Sequence, residues 1–421
     1  MARYDLTTAT GVFKTKYIRM SRDMFNSENV ILAKIKRNDS FVGDQALISV
    51  PTSFGGGRGS GVIPRANVTQ YQKMLITAKK LYAIIEIDNE AIYASQTDEG
   101  AFVRLSKEPV KRGVQAWQAN LSRMLFNDSI ATNGNGRLGI SSSATAITVA
   151  AGVYTVTFVK ATSNPVNWKQ ANWEVKDFVN VLGGGTAEYE VTGVNPAASA
   201  TTATVTMTQV AGSTFDLTAG GGLSKHFYMQ NSKDNDATGL RGALLATTGT
   251  LYNISVAYRW QSSSQLTSLS VALTPDHLNQ QALDLKYAFG ESHDMFVTSF
   301  TQYRKLLNSL EDQKRYMIVE SRNEGPKGKF SFQALEFMAD NGPIPVIAER
   351  FVENDTLYSL NSDFIEFHAR PEGGWIENPA AGGSIFNMSP TDDSWQARYA
   401  VYGEFGIVPT AHGIMTGLTT T

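Results

Sequence analysis

Ala46-Leu-Ile-Ser-Val-Pro51, then Gly55-Gly-Gly-Arg-Gly-Ser-Gly61, then Met74-Leu-Ile-Thr-Ala78 running into Leu81-Tyr-Ala-Ile-Ile-Glu-Ile-Asp88, is the stretch on which the fold turns. Two apolar runs flank a glycine cluster that no sheet interior would tolerate, because glycine offers no side chain to pack and costs the most chain entropy to order. The spacing predicts a long hairpin with a mobile tip, carried by Gly55, Gly56, Gly57, Arg58, Gly59 and Arg65. Its returning leg, 81–88, is apolar enough to enter a core, so the loop is anchored at its base and projects at its tip.

Working outward, residues 1–40 hold eight basic side chains against four acidic ones, a local charge of +4 in a chain of 421 residues whose net charge is -2. Lys14, Lys16, Arg19 and Arg22 form the centre of this basic arm. With so little net charge, the chain as a whole generates no positive field able to hold nucleic acid by counterion release. On the other side of the hairpin, Val110, Val114, Trp117, Leu121 and Met124 recur at steps of four, three, four and three, the strongest helical period in the sequence. Pro109 stands where it opens this helix or kinks a longer one. Gln118 and Arg123 are expected off its buried face.

Residues 141–222 carry only eight charges, and segments such as Tyr154-Thr-Val-Thr-Phe158 and Ala203-Thr-Val-Thr-Met207 alternate with period two. They read as strands of a small all-β insertion, punctuated by Gly183-Gly-Gly185, Asn195-Pro196 and Gly220-Gly-Gly222. Beyond about 240 the pattern is mixed. Thr274 as cap, Pro275, Leu278, Ala282, Leu285, Phe289 and Gly290 spell a complete helix, and Met295-Phe-Val-Thr298 a buried strand. Phe300, Tyr303, Leu307 and Leu310 mark a second helix, with later strands at Ile344-Pro-Val-Ile347 and Phe364-Ile-Glu-Phe-His368. The class is α+β.

Catalytic patterns are missing from the sequence. There is no cysteine, and the five histidines show no metal-ligand spacing. No Gly-x-Ser-x-Gly elbow or Walker lysine occurs. Glu86 and Asp88 share one face of a strand and read as solvent-facing polar positions. No apolar run reaches the length of a membrane span. The expectation is a chain that is not an enzyme, with no cofactor, no metal and no membrane partner.

The order of elements, together with three segments, carries a resemblance. Gly61-Val-Ile-Pro-Arg65 through Asp88, Phe337-Met-Ala-Asp-Asn-Gly-Pro-Ile-Pro-Val-Ile-Ala-Glu-Arg350, and Trp395-Gln-Ala-Arg-Tyr-Ala-Val-Tyr-Gly-Glu-Phe-Gly-Ile-Val-Pro-Thr-Ala-His-Gly-Ile414 are similar to the extended-loop leg, axial segment and closing strand of tailed-bacteriophage major capsid proteins, the Hong Kong ninety-seven fold. The resemblance implies an N-terminal arm at 1–40, an extended β-hairpin loop at 41–80 and a peripheral domain with its spine helix at 81–135. It further implies the β-rich insertion at 136–235, an axial domain at 236–384, and C-terminal strands at 385–421 returning to the peripheral domain. Hexamers and pentamers of the chain would build an icosahedral virion shell in the host cytoplasm, with a portal, decoration proteins and weakly held packaged DNA as partners. Scaffolding is expected on a separate chain, since only about 40 residues precede the loop. Some relatives cross-link through a loop lysine; residues 54–72 hold Arg58 and Arg65 and no lysine, so no cross-link is expected.

Two rivals remain open from the sequence alone: an encapsulin-like compartment around protein cargo, and a tail or adhesin protein binding glycan through Trp168 or Trp173. If the basic arm serves a shell, replacing Lys14, Lys16, Arg19 and Arg22 together with alanine impairs shell assembly or DNA retention, scored by particle yield and by nucleic-acid content; unchanged values of both would remove the arm's role.

Overall fold

The structure, a computed structural model, describes residues 30–38, 41, 45–53, 70–89, 113–127, 135–160, 168–290, 292–312, 335–339, 342–370, 374–377, 385–389 and 393–419. Two compact units divide the chain: Met1–Leu47, Leu75–Leu125 and Glu366–Gly406 make the first, and Ile48–Met74, Phe126–Ile365 and Ile407–Thr421 the second.

In the first unit the long strand Ser394–Ile407 is the organising element. Lys79–Asp88 lies antiparallel to it over ten residues, from Asp88 opposite Ser394 to Lys79 opposite Gly403. Period-two alternation sends Leu81, Ile85 and Ile87 inward and leaves Tyr82, Ile84, Glu86 and Asp88 exposed, as a strand with one covered face requires. Ile365–Ala369, Gly374–Trp375, Phe386–Met388 and Lys36–Asn38 complete the described sheet. Residues 113–125 are helical and bury Val114, Trp117, Leu121 and Met124; Val110 lies outside the described residues. The Trp117 ring stands edge-on to Tyr399, centroids 5.4 Å apart, and Tyr399 meets Trp375 in the same way.

Two readings are corrected here. Gln118 and Arg123 are buried rather than off the covered face, because the helix is enclosed on more than one side over its second half, where every residue from Leu121 to Asn127 is buried. The segment expected as an arm through residue 40 is docked from Ile31 onward: Ile31, Leu32 and Ile35 are buried, and Lys36–Asn38 runs parallel to Ile365–Ala369 with Asn38 Nδ2 donating to Glu366 Oε2 at 2.9 Å. Lys14, Lys16, Arg19 and Arg22 lie outside the described residues. Ile365–Ala369 pairs with Ser394–Ile407, and Arg370 N donates to Tyr402 O at 2.9 Å. Gly413–Met415 pairs within the second unit's sheet, beside Ser264–Leu266 and Leu357–Leu360.

Within the second unit, seven described antiparallel strands from Arg137 to Met229 form one sheet over the segment read as an insertion. The two alternating runs pair with each other, Val205 opposite Val156 and Met207 opposite Tyr154, so both send their apolar sets to one side. That side is a core of its own, with Phe158 set between Trp168 and Trp173 and against Phe227.

The rest of the unit is a mixed sheet ordered Ser264–Leu266, Gly413–Met415, Leu357–Leu360, Met295–Thr298, Gly342–Ala348 and Leu335–Ala339. Pro343 and Pro345 fit because Met295–Thr298 pairs with Gly342–Ala348 only over residues 346–348, leaving the prolines facing no donor-demanding neighbour on that side. Helix Pro275–Phe289 begins and ends where the caps predict: Gly290 adopts φ 85 and its N–H bonds Lys286 O. His277 adds an unforeseen contact, its Nδ1 accepting from Thr274 N at 3.2 Å. The second helix, Phe300–Asp312, is rotated from its expected register. Phe300 is exposed, while Gln302 and Leu306 are buried, because Gln302 Nε2 donates to both Asn354 O and Thr419 O at 2.9 Å.

Gly403 marks a close approach within the first unit: a Cβ there would stand 2.7 Å from the Phe367 ring and 2.8 Å from His368 O. Gly403→Ala should cost about 1–3 kcal/mol through overpacking, whereas Gly374→Ala, with nothing within 4 Å, should leave the urea midpoint nearly unchanged.

Candidate functional site

Two features stand apart from ordinary packing. The first is the base of the hairpin. Gln45–Ser53 and Gln70–Thr77 form a two-stranded ribbon, and Thr52 Oγ1 donates to Gln70 O at 3.2 Å. Ala78 alone separates the returning strand from Lys79–Asp88. Toward its base the ribbon buries Met74 and Ile76, but farther along it presents Leu47, Ile48 and Tyr71, of which Leu47 is 59% and Tyr71 63% exposed. A two-stranded ribbon is marginal in water without an apolar face against something, and among the described residues these side chains stay exposed. The predicted tip residues Gly55, Gly56, Gly57, Arg58, Gly59 and Arg65 lie outside the described residues.

The second feature is a buried ionic hub on the turn 351–356. Glu353 has no solvent exposure and ion-pairs with Lys169, which comes from the β insertion. The remaining ammonium hydrogens of Lys169 reach Phe126 O at 3.1 Å and Phe351 O at 3.2 Å, so the cation is fully coordinated. On its other oxygen Glu353 accepts from Tyr358 Oη at 2.8 Å and lies 3.8 Å from Arg241 Nη1. Burial alone would raise the Glu353 carboxyl, but Lys169 and Arg241 outweigh it and hold the group below the ordinary carboxylate range. Arg241 Nη1 also donates to Thr356 Oγ1 at 2.9 Å, and that hydroxyl donates to Asp355 Oδ1 at 2.7 Å. Asp355 Oδ2 accepts from Gly417 N at 3.0 Å, tying in the chain's closing segment. Burial pushes Asp355 up.

His412 is the other buried titratable group of note. Its Nδ1 accepts from Asn361 N at 3.2 Å, and burial pushes its pKa down to about 4, with a partly offsetting contact to Phe364 O. It is a neutral structural imidazole. Among the described residues, no group of three or more His, Asp or Glu is placed to hold a metal. Trp168 and Trp173 do not form a glycan platform: both are buried, stacked at 12° with centroids 6.3 Å apart, inside the insertion's core. Indole faces committed to packing cannot also bind sugar, which removes the adhesin reading based on them.

No family model matches the chain, and no curated protein matches it. Among solved structures, it is similar to a chain of the cyanophage A-1(L) capsid asymmetric unit at 10% identity and a TM-score of 0.50, covering 92% of this chain and 90% of that one. The fold is that of a phage capsid chain. Weaker likenesses run to the holo-SrpI encapsulin complex of Synechococcus elongatus PCC 7942, at 7% identity and TM-score 0.45 over 94% and 90% of the two chains, and to the capsid of Myoviridae phage XM1, at 9% and 0.41 over 92% and 91%.

None of the hub residues of this capsid-fold chain was singled out from sequence, because Lys169, Arg241 and Glu353 are separated by more than 70 residues and share no motif. Leaving Lys169 and Arg241 buried without their carboxylate, Glu353→Gln should cost about 3–5 kcal/mol in urea unfolding. His412 gives a pH dependence. Its folded pKa lies below the unfolded 6.5, so its contribution is complete above that pH and is lost as pH falls toward about 4, about 3 kcal/mol in all. Stability measured between pH 7 and 5 should therefore decline in the native chain and decline less in His412→Gln.

Proposed function

We propose that the chain is a major capsid protein that assembles with copies of itself, as hexamers and pentamers, into the icosahedral head of a tailed bacteriophage enclosing double-stranded DNA. The observation that carries this reading is a capsid fold matched over 92% of the chain, joined to a two-stranded ribbon on which Leu47, Ile48 and Tyr71 are exposed among the described residues. Subunit rings need heterologous contacts that close by rotation, and a projecting limb supplies buried area that a compact monomer cannot. The sparse charge of the chain, 18% Asp, Glu, Lys and Arg, suits large contacts between like subunits.

Catalysis does not enter the proposal; the work is done by area and geometry. In this reading Leu47, Ile48 and Tyr71 bury against an adjacent copy, and the basic arm meets packaged DNA by weak non-specific attraction. A portal and separate scaffolding and decoration proteins complete the partner set.

Electron microscopy of the purified full chain tests the proposal: closed shells of uniform diameter are expected, with DNA inside particles recovered from infected cells. A monodisperse monomer at all concentrations would overturn it, and shells filled with protein cargo instead of DNA would move it to a compartment. Leu47→Asp combined with Tyr71→Asp should abolish shells while leaving the monomer's urea midpoint within about 1 kcal/mol of native, as expected for surface substitutions.

A further inference from the structure

We propose that the turn Glu353–Thr356 couples the seating of the β insertion to the seating of the chain's closing segment, so that loosening one loosens the other. Three segments converge on these four residues, and two of them, the helix Leu240–Leu245 and the strand Gly413–Met415, also touch each other. Lys169 brings the insertion to Glu353. Arg241, on the helix Leu240–Leu245, lies beside Glu353 and bonds Thr356. Gly417 N bonds the Asp355 carboxylate, and Leu418 N bonds Asp355 O at 3.0 Å.

The connection is polar, continuous and largely buried. From Lys169 it passes through the Glu353 carboxylate to Arg241, through the guanidinium to the Thr356 hydroxyl, and through that hydroxyl to Asp355 and the Gly417 amide. Glu353 and Thr356 are fully buried, and Asp355 is 4% exposed. In such surroundings a partner that leaves is not replaced by water, so the charges that remain must rearrange. Removing the Lys169 cation leaves Glu353 to draw Arg241 closer, which pulls the guanidinium from Thr356 and loosens Asp355's hold on Gly417. Lys169 and Gly417 are thereby linked through two carboxylates, Glu353 at one end and Asp355 at the other. Coupling of this kind is reciprocal and typically amounts to a factor of 5 to 150.

The closing segment has much to lose. Met415 and Leu418 are fully buried and belong to the apolar core that also contains Leu278, Phe296, Leu306 and Leu357. Its seating therefore reports on the packing of the whole mixed sheet. The inference concerns the subunit alone and stands whether or not the chain assembles.

Native-state hydrogen exchange on the full chain tests it. The reporters are the amides of Asn172 and Trp173, which bond Lys169 O and Gln170 O, and those of Gly417 and Leu418, which bond Asp355. Lys169→Met should speed exchange at Gly417 and Leu418 at least five-fold although it touches neither. Thr356→Val, which removes the hydroxyl and keeps the shape, should speed exchange at Asn172 and Trp173 at least five-fold. In the double variant the effect of Lys169→Met on Gly417 and Leu418 should fall below two-fold, because the relay is already cut. If Lys169→Met does not fold, Thr356→Val alone decides through the Asn172 and Trp173 amides. Exchange that rises only beside each substituted residue, or effects that simply add in the double variant, would overturn the coupling.

Discussion

A carboxylate removed from water must be neutralised where it stands, and in this chain the carboxylate is Glu353. Its partners come from residues 169 and 241, so the turn that carries it can be completed only when the β insertion and the helix Leu240–Leu245 are both in place. A buried ion pair adds little net stability over a well-packed apolar contact, but breaking one side of it is costly. That asymmetry makes it a device for specifying arrangement. The insertion already has a core, built around Phe158, Trp168 and Trp173, and would not need the ion pair to remain folded. What the ion pair adds is a single point at which insertion and mixed sheet agree.

The same division between packing and placement explains what could be read from the sequence. Local patterns were legible wherever one residue's neighbours in the chain are also its neighbours in space. The helix Pro275–Phe289 follows from Thr274, Pro275 and Gly290, and the pairing of Val153–Val159 with Thr202–Ala211 connects two segments whose alternation was already visible. Helix Phe300–Asp312 was recognised by its period but placed on the wrong face, since a hydrophobic template has no means of anticipating that Gln302 would be drawn inside by two backbone carbonyls. Gln118 and Arg123 were misplaced for the related reason that a helix covered on more than one side buries polar positions as well.

Long-range exchange of strands was the part that remained hidden. Trp395 to Ile414 reads as one closing segment, yet its strand lies in the first unit as far as Gly406 and Gly413–Met415 lies in the second. Nothing in the composition of these twenty residues changes at the crossing, where Pro409–Ala411 makes a single tight turn. The hub was hidden more completely still. A lone lysine in a strand-rich segment and a lone glutamate before a turn are, in sequence, two solvated charges. Only the fold shows that they neutralise each other.

Extended limbs and an internally latched insertion impose opposite demands on one chain. The ribbon Gln45–Ser53 and Gln70–Thr77 leaves Leu47, Ile48 and Tyr71 exposed among the described residues, apolar surface that another molecule could cover. The second unit does the reverse, drawing even its last described residues inward through Gln302, Asp355 and the core around Leu418. A subunit that must meet several neighbours at slightly different angles benefits from that partition. In the proposed shell, compliance would then be confined to the ribbon, while the surfaces against which ribbons dock would be held by packed and ion-paired interiors. Were the rigidity and compliance mixed throughout, each contact would be set against a moving surface, and the closed rings of the proposed shell would lose the fixed angles on which closure depends.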